Sequence, residues 1–400
     1  MTSTRRLRRR PSPRSSERPG SVGPARTERV VLFTEDDPLL LESGERLAPV
    51  EVAYETYGEL DGSASNAVFV CHALTGDAHA AGHHGDPSRV GWWDSLIGPG
   101  KPVDTERFYV VCANLLGGCQ GTTGPSSIDP ATGRPYGLRF PLFTVRDLVS
   151  VHRALLGHLG VRRLAAAVGG SLGGMQVLQW AIDHPDELDT ALLVCASASL
   201  SAQNIAFSAV ARASITRDEH FNGGDYYANG NRPHVGLAVA RMMAHLTYVS
   251  ETSLERRFGR RQRDGTTGYS FDADFEIEHY LEHQGRSFLE RFDANTYLYL
   301  SRVMDYFDPF ADEEAVRRRL DGSPTRFLVL SFDTDWRFDT SHSLEIARVL
   351  AAAGAEVTQT EIASPHGHDS FLLPVEAYHE AIRSFLAPRT KPDDRRDGSG

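Results

Sequence analysis

A serine set among glycines is the first group in this sequence with the potential for covalent chemistry. Residues 169–173 read Gly-Gly-Ser-Leu-Gly, a G-x-S-x-G pattern. An apolar run of strand length precedes it at 164–168, and residues 175–182 follow with apolar side chains at helical spacing. Such a pattern also occurs by chance in glycine-rich turns, but a strand before it and a helix after it are typical of a nucleophile elbow. The sequence therefore predicts Ser171 as a nucleophile.

A nucleophilic serine needs a base and an acid that orients the base, and candidates for both lie late in the chain. Residues 326–332 form an apolar run of strand type. Three acids follow it: Asp333, Asp335 and Asp339. Two histidines, His366 and His368, come after a second predicted strand at 356–362. The order serine, acid, histidine is that of the α/β-hydrolase fold, although spacing alone leaves the choice of acid and histidine open.

Acyl chemistry also needs donors for the oxyanion that develops on the substrate. Residues 67–71 form another continuous apolar run, and the loop at 72–76 follows it, where this kind of fold supplies a backbone donor. We therefore expect the N–H groups of Leu74 and Leu172 to form the oxyanion hole. Four histidines cluster nearby: His72, His79, His83 and His84. They show no paired spacing with acids, so we interpret them as ordinary loop histidines and expect no metal.

These elements predict an α/β fold with a mostly parallel central sheet, because apolar strands alternate with amphipathic helices. Two alternating segments, 30–33 and 50–57, indicate antiparallel entry strands. From about residue 201 the chain lacks long β-type runs and is rich in helix formers, which indicates an inserted helical lid. The sequence thus predicts a disordered basic tail at 1–28, the first part of the core at 29–200, the lid at 201–320, the second part of the core at 321–388 and a disordered tail at 389–400.

The composition of the chain limits the kinds of molecule that the protein is expected to bind. The net charge of −11 argues against a general nucleic-acid binder, since such proteins present cationic surface to phosphate, and small-molecule partners are expected. The sequence contains no apolar run of about 18 residues, so no membrane span is expected. The four cysteines lack zinc-site spacing and are too few to cross-link 400 residues. Reduced thiols and a cytoplasmic location are therefore expected.

One predicted lid helix, at 236–248, carries an arginine among apolar residues. Arg241 shares a helix face with Leu237 and His245 at i, i±4 spacing. An inward-facing arginine on such a helix would suit a carboxylate ligand. A surface arginine whose charge reaches solvent fits the same pattern, so the pattern leaves both interpretations open.

Taken together, eight short motifs resemble the homoserine O-acyltransferases of the α/β-hydrolase superfamily. They lie at residues 72–76, 91–94, 97–100, 114–125, 169–176, 291–297, 335–336 and 367–369. The resemblance extends over nearly everything except the tails. It implies Ser171 as the nucleophile, Asp335 as the orienting acid and His368 as the base.

The resemblance also implies a substrate clamp and a two-step reaction. Arg241 and Asp369 would hold the amino-acid substrate. An acyl-CoA would acylate Ser171, CoA would leave, and the hydroxyl of homoserine would take the acyl group, a step of methionine biosynthesis. No cofactor or metal is implied beyond the acyl-CoA co-substrate. A homodimer joined through the helical lids is expected.

Arg337 indicates which acyl-CoA donates the acyl group. The segment 334–338, Thr-Asp-Trp-Arg-Phe, is similar to the succinyl-using branch, whereas acetyl-using members usually carry an apolar residue at the position of Arg337. Only a succinyl chain has a terminal carboxylate for a guanidinium, so we expect succinyl-CoA. Acetyl-CoA is the alternative donor, and an Arg337 directed to solvent would remove the argument. A serine esterase is a rival function, but Arg241 and Asp369 would have no use on a neutral ester.

Overall fold

An eight-stranded sheet forms the centre of the protein in a computed structural model that describes residues 19–228, 230–262, 269 and 271–388. Its strands, in chain order, are β1 (Glu28–Phe33), β2 (Val50–Tyr57), β3 (Ala67–Cys71), β4 (Tyr109–Ala113), β5 (Ala166–Gly170), β6 (Thr190–Val194), β7 (Arg326–Phe332) and β8 (Glu356–Ile362). The spatial order is β1-β2-β4-β3-β5-β6-β7-β8. The first two strands pair antiparallel, and β3 to β8 run parallel. The predicted mostly parallel α/β sheet is confirmed.

The central parallel strands are buried because helices cover both faces of the sheet, whereas the edge strand β8 is largely polar and only partly buried. Leu148, Leu178 and Ile346 belong to one core cluster, whereas Trp93 and Tyr378 belong to the other. The helices that supply these clusters are α1 (Val145–His158), α2 (Leu172–Asp183), α9 (Thr340–Ala352) and α10 (Glu376–Leu386). The strand before Ser171 ends at Gly170, two residues later than its apolar pattern predicts, because Gly169 and Gly170 continue the pairing with β6.

Among the described residues, six α-helices lie between β6 and β7. They are α3 (Ala202–Thr216), α4 (His234–Tyr248), α5 (Glu251–Arg257), α6 (Glu276–Leu289), α7 (Ala294–Asp305) and α8 (Glu313–Leu320). Helix α4 packs against α3 and α6, and α3 also contacts α7. The last helix, α8, contacts α2 and α9 instead, so it packs with the sheet-covering helices rather than with α4. The part of this segment that covers the site therefore ends before residue 313.

The predicted basic tail is too long at its carboxyl side. Residues 1–18 of that tail, and the predicted tail at 389–400, lie outside the described residues. Within 19–28, however, Ala25 N–H donates to His83 O at 2.9 Å and His83 N–H donates to Gly23 O at 3.1 Å. These backbone bonds attach the segment to the core before β1 begins. Within the described ranges, no helix has the length and apolar character needed to cross a membrane.

Candidate active site

Ser171 lies at the turn between β5 and α2 in a strained backbone conformation. Its φ is +56°, a left-handed value that is rare for a residue other than glycine, and its N–H donates to Val194 O at 3.0 Å. The turn closes only because its neighbours lack side chains. A Cβ on Gly173 would lie 2.0 Å from Cys71 O, and a Cβ on Gly169 would lie 2.3 Å from the Gly173 carbonyl carbon. The geometry is that of a nucleophile elbow.

His368 and Asp335 form a buried acid–base pair. His368 Nδ1 lies 2.7 Å from Asp335 Oδ2, and both side chains are almost fully buried. Asp335 Oδ1 accepts the N–H groups of Arg337 at 2.9 Å and Phe338 at 3.0 Å, so the carboxylate is fixed on both oxygens. Because Asp335 accepts the proton on Nδ1, neutral His368 carries its lone pair on Nε2. That nitrogen is buried and has no partner among the described residues, so it is available to a hydroxyl proton.

The other candidates for acid and base have structural roles. Asp333 accepts the N–H of Ser364 at 2.8 Å, and Asp339 caps α9 by accepting the N–H of Ser341 at 2.9 Å. His366 precedes the short helix that carries His368 and lines a neighbouring depression rather than the cavity at Ser171. The geometry thus distinguishes Asp335 and His368 where spacing could not.

A cavity of about 330 Å³ opens over Ser171. It is lined by Leu74, Ser171, Arg241 and His368, and also by Asp77, His79, Trp92, Tyr248, Arg291, Asp369 and Phe371. Leu172 is the first residue of α2, so its N–H lies at the positive end of a helix beside the nucleophile. The cavity has the size and the mixed apolar and polar lining of a small-molecule site.

Arg241 and Asp369 line this cavity without pairing with each other. Arg241 Cζ lies 5.1 Å from the ring centroid of Phe288 and 5.8 Å from that of Tyr248, and its buried Nε has no hydrogen-bond partner in the described part of the chain. Burial raises the pKa of Asp369 to about 6, although the charges of His368 and Arg241 act in the opposite direction. A guanidinium and a carboxylate at one cavity wall offer complementary partners to a zwitterion.

Arg337 does not line the cavity at Ser171. It is only 7% exposed, so its side chain does not point to solvent. Its Nη1 donates to Thr247 Oγ1 at 2.9 Å, and its guanidinium lies beside the rings of Tyr248 and Phe338. Arg337 instead lines a separate cavity of about 10 Å³ that also contacts Leu74. No carboxylate lies within ion-pair distance of it among the residues described.

Two of the loop histidines have a role that spacing did not reveal. Glu55 is fully buried, and its carboxylate accepts from His84 Nε2 at 2.7 Å and His79 Nδ1 at 3.0 Å. The same oxygens accept from Thr27 at 2.7 Å and Tyr57 at 2.8 Å. Burial of His79 alone would lower its pKa, but the bond to Glu55 gives a net raised pKa. These are charge-assisted hydrogen bonds that join the entry strand to the cavity rim, so the histidines are not ordinary loop residues.

A comparison with known protein families identifies the structural class of this protein. A family model described as an alpha/beta hydrolase fold matches residues 66–374. A homoserine O-succinyltransferase of Nocardioides sp. is 59% identical over 367 residues, which cover 92% of this chain and 99% of that protein. A homoserine O-acetyltransferase of Rhodospirillum rubrum is 49% identical over 353 residues, covering 88% and 90%. This chain therefore belongs to the homoserine O-acyltransferase family of the alpha/beta hydrolase fold.

Solved structures with the same fold include both transferases and esterases. The homoserine O-acetyltransferase from Bacillus anthracis matches with a TM-score of 0.84 at 27% identity, covering 92% of this chain and 99% of that one. Esterase E22 matches with a TM-score of 0.80 at 29% identity, covering 91% and 99%. The fold alone therefore does not decide whether water or an amino acid takes the acyl group.

Several residues that line the cavity at Ser171 were not predicted as site residues from the sequence. Arg291 lies across the cavity, where its Nη1 donates to Thr75 O at 2.8 Å, and burial lowers its pKa. His79, Trp92 and Tyr248 also reach the cavity from separate loops and from α4. Arg291 and Trp92 each lie within a motif of the resemblance, at 291–297 and 91–94, and membership of these motifs is the signal that could have found them.

Proposed function

We propose that this protein transfers a succinyl group from succinyl-CoA to the hydroxyl of L-homoserine, a step of methionine biosynthesis. The observation that carries the proposal is a single cavity lined by Ser171, by His368, which bonds Asp335, and by Arg241 and Asp369, which do not pair with each other. The α-carboxylate of an amino acid matches the guanidinium, and its ammonium matches the carboxylate. The names of the Nocardioides and Rhodospirillum relatives support homoserine as the acceptor.

In the first half-reaction, Ser171 Oγ attacks the thioester carbonyl while His368 Nε2 takes the hydroxyl proton. Asp335 holds the imidazole in the tautomer that accepts this proton and stabilises the imidazolium that forms. The N–H groups of Leu74 and Leu172 bind the oxyanion of the tetrahedral intermediate. The C–S bond then breaks, and His368 returns the proton to the departing sulfur, so CoA leaves as the thiol.

In the second half-reaction, the homoserine hydroxyl attacks the acyl-serine ester. His368 Nε2 takes the hydroxyl proton and returns it to Ser171 Oγ as the ester bond breaks, which releases O-succinyl-L-homoserine. Water at the same position would hydrolyse the ester, so the yield of transfer depends on keeping water out. Arg241 and Tyr248 on α4 form the wall of the cavity, which assigns the helical segment a role in this exclusion.

Support for succinyl rests on Arg337. A buried guanidinium without a carboxylate partner is unfavourable, and the distal carboxylate of a succinyl group would supply one. Leu74 lines both the large cavity and the small cavity at Arg337, so the acyl chain would pass this residue to reach the guanidinium. The small cavity must widen to admit the chain, and the flexible Met243 in its wall is able to move.

The second candidate function is ester hydrolysis, which the match to esterase E22 favours. The clamp formed by Arg241 and Asp369 argues against it, because a neutral ester carries neither charge. Acetyl-CoA is the alternative donor for transfer, supported by the name of the Rhodospirillum relative.

The test offers the purified protein L-homoserine with succinyl-CoA and with acetyl-CoA in separate reactions, and identifies the product by mass. We expect O-succinylhomoserine at the higher kcat/KM. A preference for acetyl-CoA would replace the donor and leave the acceptor unchanged, whereas free succinate or acetate without any acylhomoserine would favour the esterase.

We also propose that two copies associate through the lid and act in the cytoplasm. Helix α4 presents Val235, Val239 and Leu246 on one side, and these side chains are 74%, 41% and 37% exposed. An exposed apolar stripe on one helix is typical of an interface. Replacement of Val239 by lysine should shift the molecular mass in solution, measured by light scattering, from two copies toward one.

A further inference from the structure

Gln176 is a fully buried amide that connects the two backbone segments of the candidate oxyanion hole. It lies on α2, one turn after Leu172. Its Nε2 donates to Leu172 O at 3.0 Å and to His72 O at 3.1 Å. One side chain thus bonds the elbow helix that carries the Leu172 donor and the loop that carries the Leu74 donor. Nothing in the proposed mechanism uses this group.

The orientation of the amide is fixed from behind by His152. Carbonyl oxygens only accept, so the NH₂ group of Gln176 must face the two carbonyls and its Oε1 must face away from them. Oε1 lies 2.8 Å from His152 Nε2, which therefore carries the proton of the imidazole. Burial lowers the pKa of His152 to about 4, so the ring is neutral at physiological pH. The donor and the acceptor of each hydrogen bond from His152 through Gln176 to the two carbonyls are therefore fixed.

His72 holds the Leu74 donor directly. Its Nε2 accepts the N–H of Leu115 at 3.1 Å, so the ring proton is on Nδ1. Nδ1 lies 2.8 Å from Ala73 O and donates to it. This carbonyl and the Leu74 N–H belong to the same peptide group, on opposite sides of it. The bond from His72 therefore fixes the orientation of that N–H and polarises it.

We propose that Gln176 and His72 are positioning residues that set the two oxyanion donors relative to each other, with Gln176 joining the donor segments and His72 aligning the Leu74 peptide. The inference rests on the proposed acyl transfer at Ser171. Neither residue touches substrate. Their effect appears in the rate of tetrahedral intermediate formation, because a small misplacement of a donor weakens the oxyanion contact.

The test compares Gln176→Met with Gln179→Met on the same helix. Gln179 is also buried, but within the described part of the chain its amide bonds only Asp183, at 2.7 Å, so it matches burial and the loss of a hydrogen bond without contacting the oxyanion segments. The readouts are the acylation rate in single turnovers, with succinyl-CoA and with p-nitrophenyl acetate, together with the KM for homoserine. Gln176→Met should acylate about 10- to 100-fold more slowly than wild type with both donors, at an unchanged KM for homoserine.

A conservative variant separates positioning from packing. Gln176→Glu keeps the shape and, as a neutral buried acid, one donor instead of two, so its acylation rate should fall between those of wild type and Gln176→Met. Equal acylation rates in Gln176→Met and Gln179→Met would overturn the inference. If Gln176→Met does not fold, the same comparison is made between Gln176→Glu and Gln179→Glu.

The p-nitrophenyl acetate arm keeps this inference separate from the proposed function. Wild type that forms no acylhomoserine would contradict the proposed function while still reporting the acylation rates of the variants. Wild type that forms acylhomoserine, with equal rates in the two methionine variants, would contradict only the positioning role.

Discussion

The groups that carry out the chemistry and the groups that bind the substrates are stabilised in opposite ways. Asp335 accepts three hydrogen bonds from within the fold, and Ser171 is held by Val194 O in a turn that its glycines close. By contrast, the buried Nε of Arg241 lacks a partner, and Arg337 lacks a carboxylate, among the residues described. The acid and the turn of the catalytic edge are thus fixed by bonds within the fold. In the proposed function, the charges of the substrate complete the binding wall.

This difference explains how a single fold serves both water and amino acids as acceptors. The overall fold is common to the esterase and the transferase matches. An incompletely paired charge on the opposite wall is unfavourable until a complementary ligand pairs with it, so it selects for a charged acceptor. Substitutions on the two sides should therefore have distinct kinetic signatures.

The largest effect is expected at the catalytic edge. Asp335→Asn should lower kcat by about 10⁴-fold, because an amide facing Nδ1 favours the wrong imidazole tautomer. The KM for homoserine should change little. Asp333→Asn is the matched control, since the Asp333 carboxylate bonds only the Ser364 N–H among the described residues. Equal kcat values for the two variants would contradict the assignment of the acid.

Substitutions in the binding wall should change the KM for homoserine instead. Arg241→Met and Asp369→Asn each remove one charge-assisted hydrogen bond to the amino acid, about 1.5–3 kcal/mol, so the KM for homoserine should rise about 10- to 150-fold. Acylation by succinyl-CoA alone, measured by rapid CoA release, should stay near the wild-type rate. If both variants instead slow acylation and leave the KM for homoserine unchanged, the clamp is misassigned.

The sequence predicts the catalytic edge of the site better than it predicts the binding wall. The strands at 326–332 and 356–362 have the bounds that their patterns predict. The first is an apolar run, as expected of a parallel strand covered on both faces, whereas the second is a largely polar strand at the edge of the sheet. The elbow is equally local, since its strand, turn and helix are contiguous. The nucleophile elbow could therefore be located from adjacent residues alone, whereas the choice of Asp335 and His368 required the tertiary structure.

The binding wall could not be located in that way. The helical period allowed Arg241 either an inward or an outward direction, and only packing of α4 against α3 and α6 decides between them. Arg291, His79 and Trp92 reach the cavity from separate loops, so no local pattern joins them. The bonds from Glu55 to His79 and His84 likewise connect residues that are distant in sequence. These contacts depend on tertiary structure.

The donor preference should depend on Arg337. Arg337→Leu should move the ratio of kcat/KM for succinyl-CoA over acetyl-CoA about 10- to 150-fold toward acetyl-CoA, which corresponds to loss of one hydrogen bond to a charged group. Arg337→Lys should restore part of the ratio, because lysine keeps the charge without the bidentate fork. Both thioesters are measured at saturating homoserine. A ratio that does not move would remove Arg337 from donor selection.

A smaller, graded effect is expected from pH. The pKa of Asp369 is raised to about 6, so its carboxylate is ionised above that pH and protonated below it. Protonation removes the partner of the substrate ammonium, and the KM for homoserine should rise toward about tenfold per pH unit as pH falls below 6. In Asp369→Asn the KM should be high and independent of pH over the same range. A KM profile shared by wild type and this variant would assign the titration to another group.

The most direct test of acyl transfer is CoA release from succinyl-CoA with and without homoserine. Without homoserine we expect one rapid equivalent of CoA, an acyl group on Ser171 detected by mass, and slow turnover afterwards. With homoserine we expect continuous release matched by O-succinylhomoserine, and Ser171→Ala should show neither the adduct nor turnover. Continuous release at the same rate in both conditions, with succinate as the product, would contradict the account and identify the protein as a hydrolase.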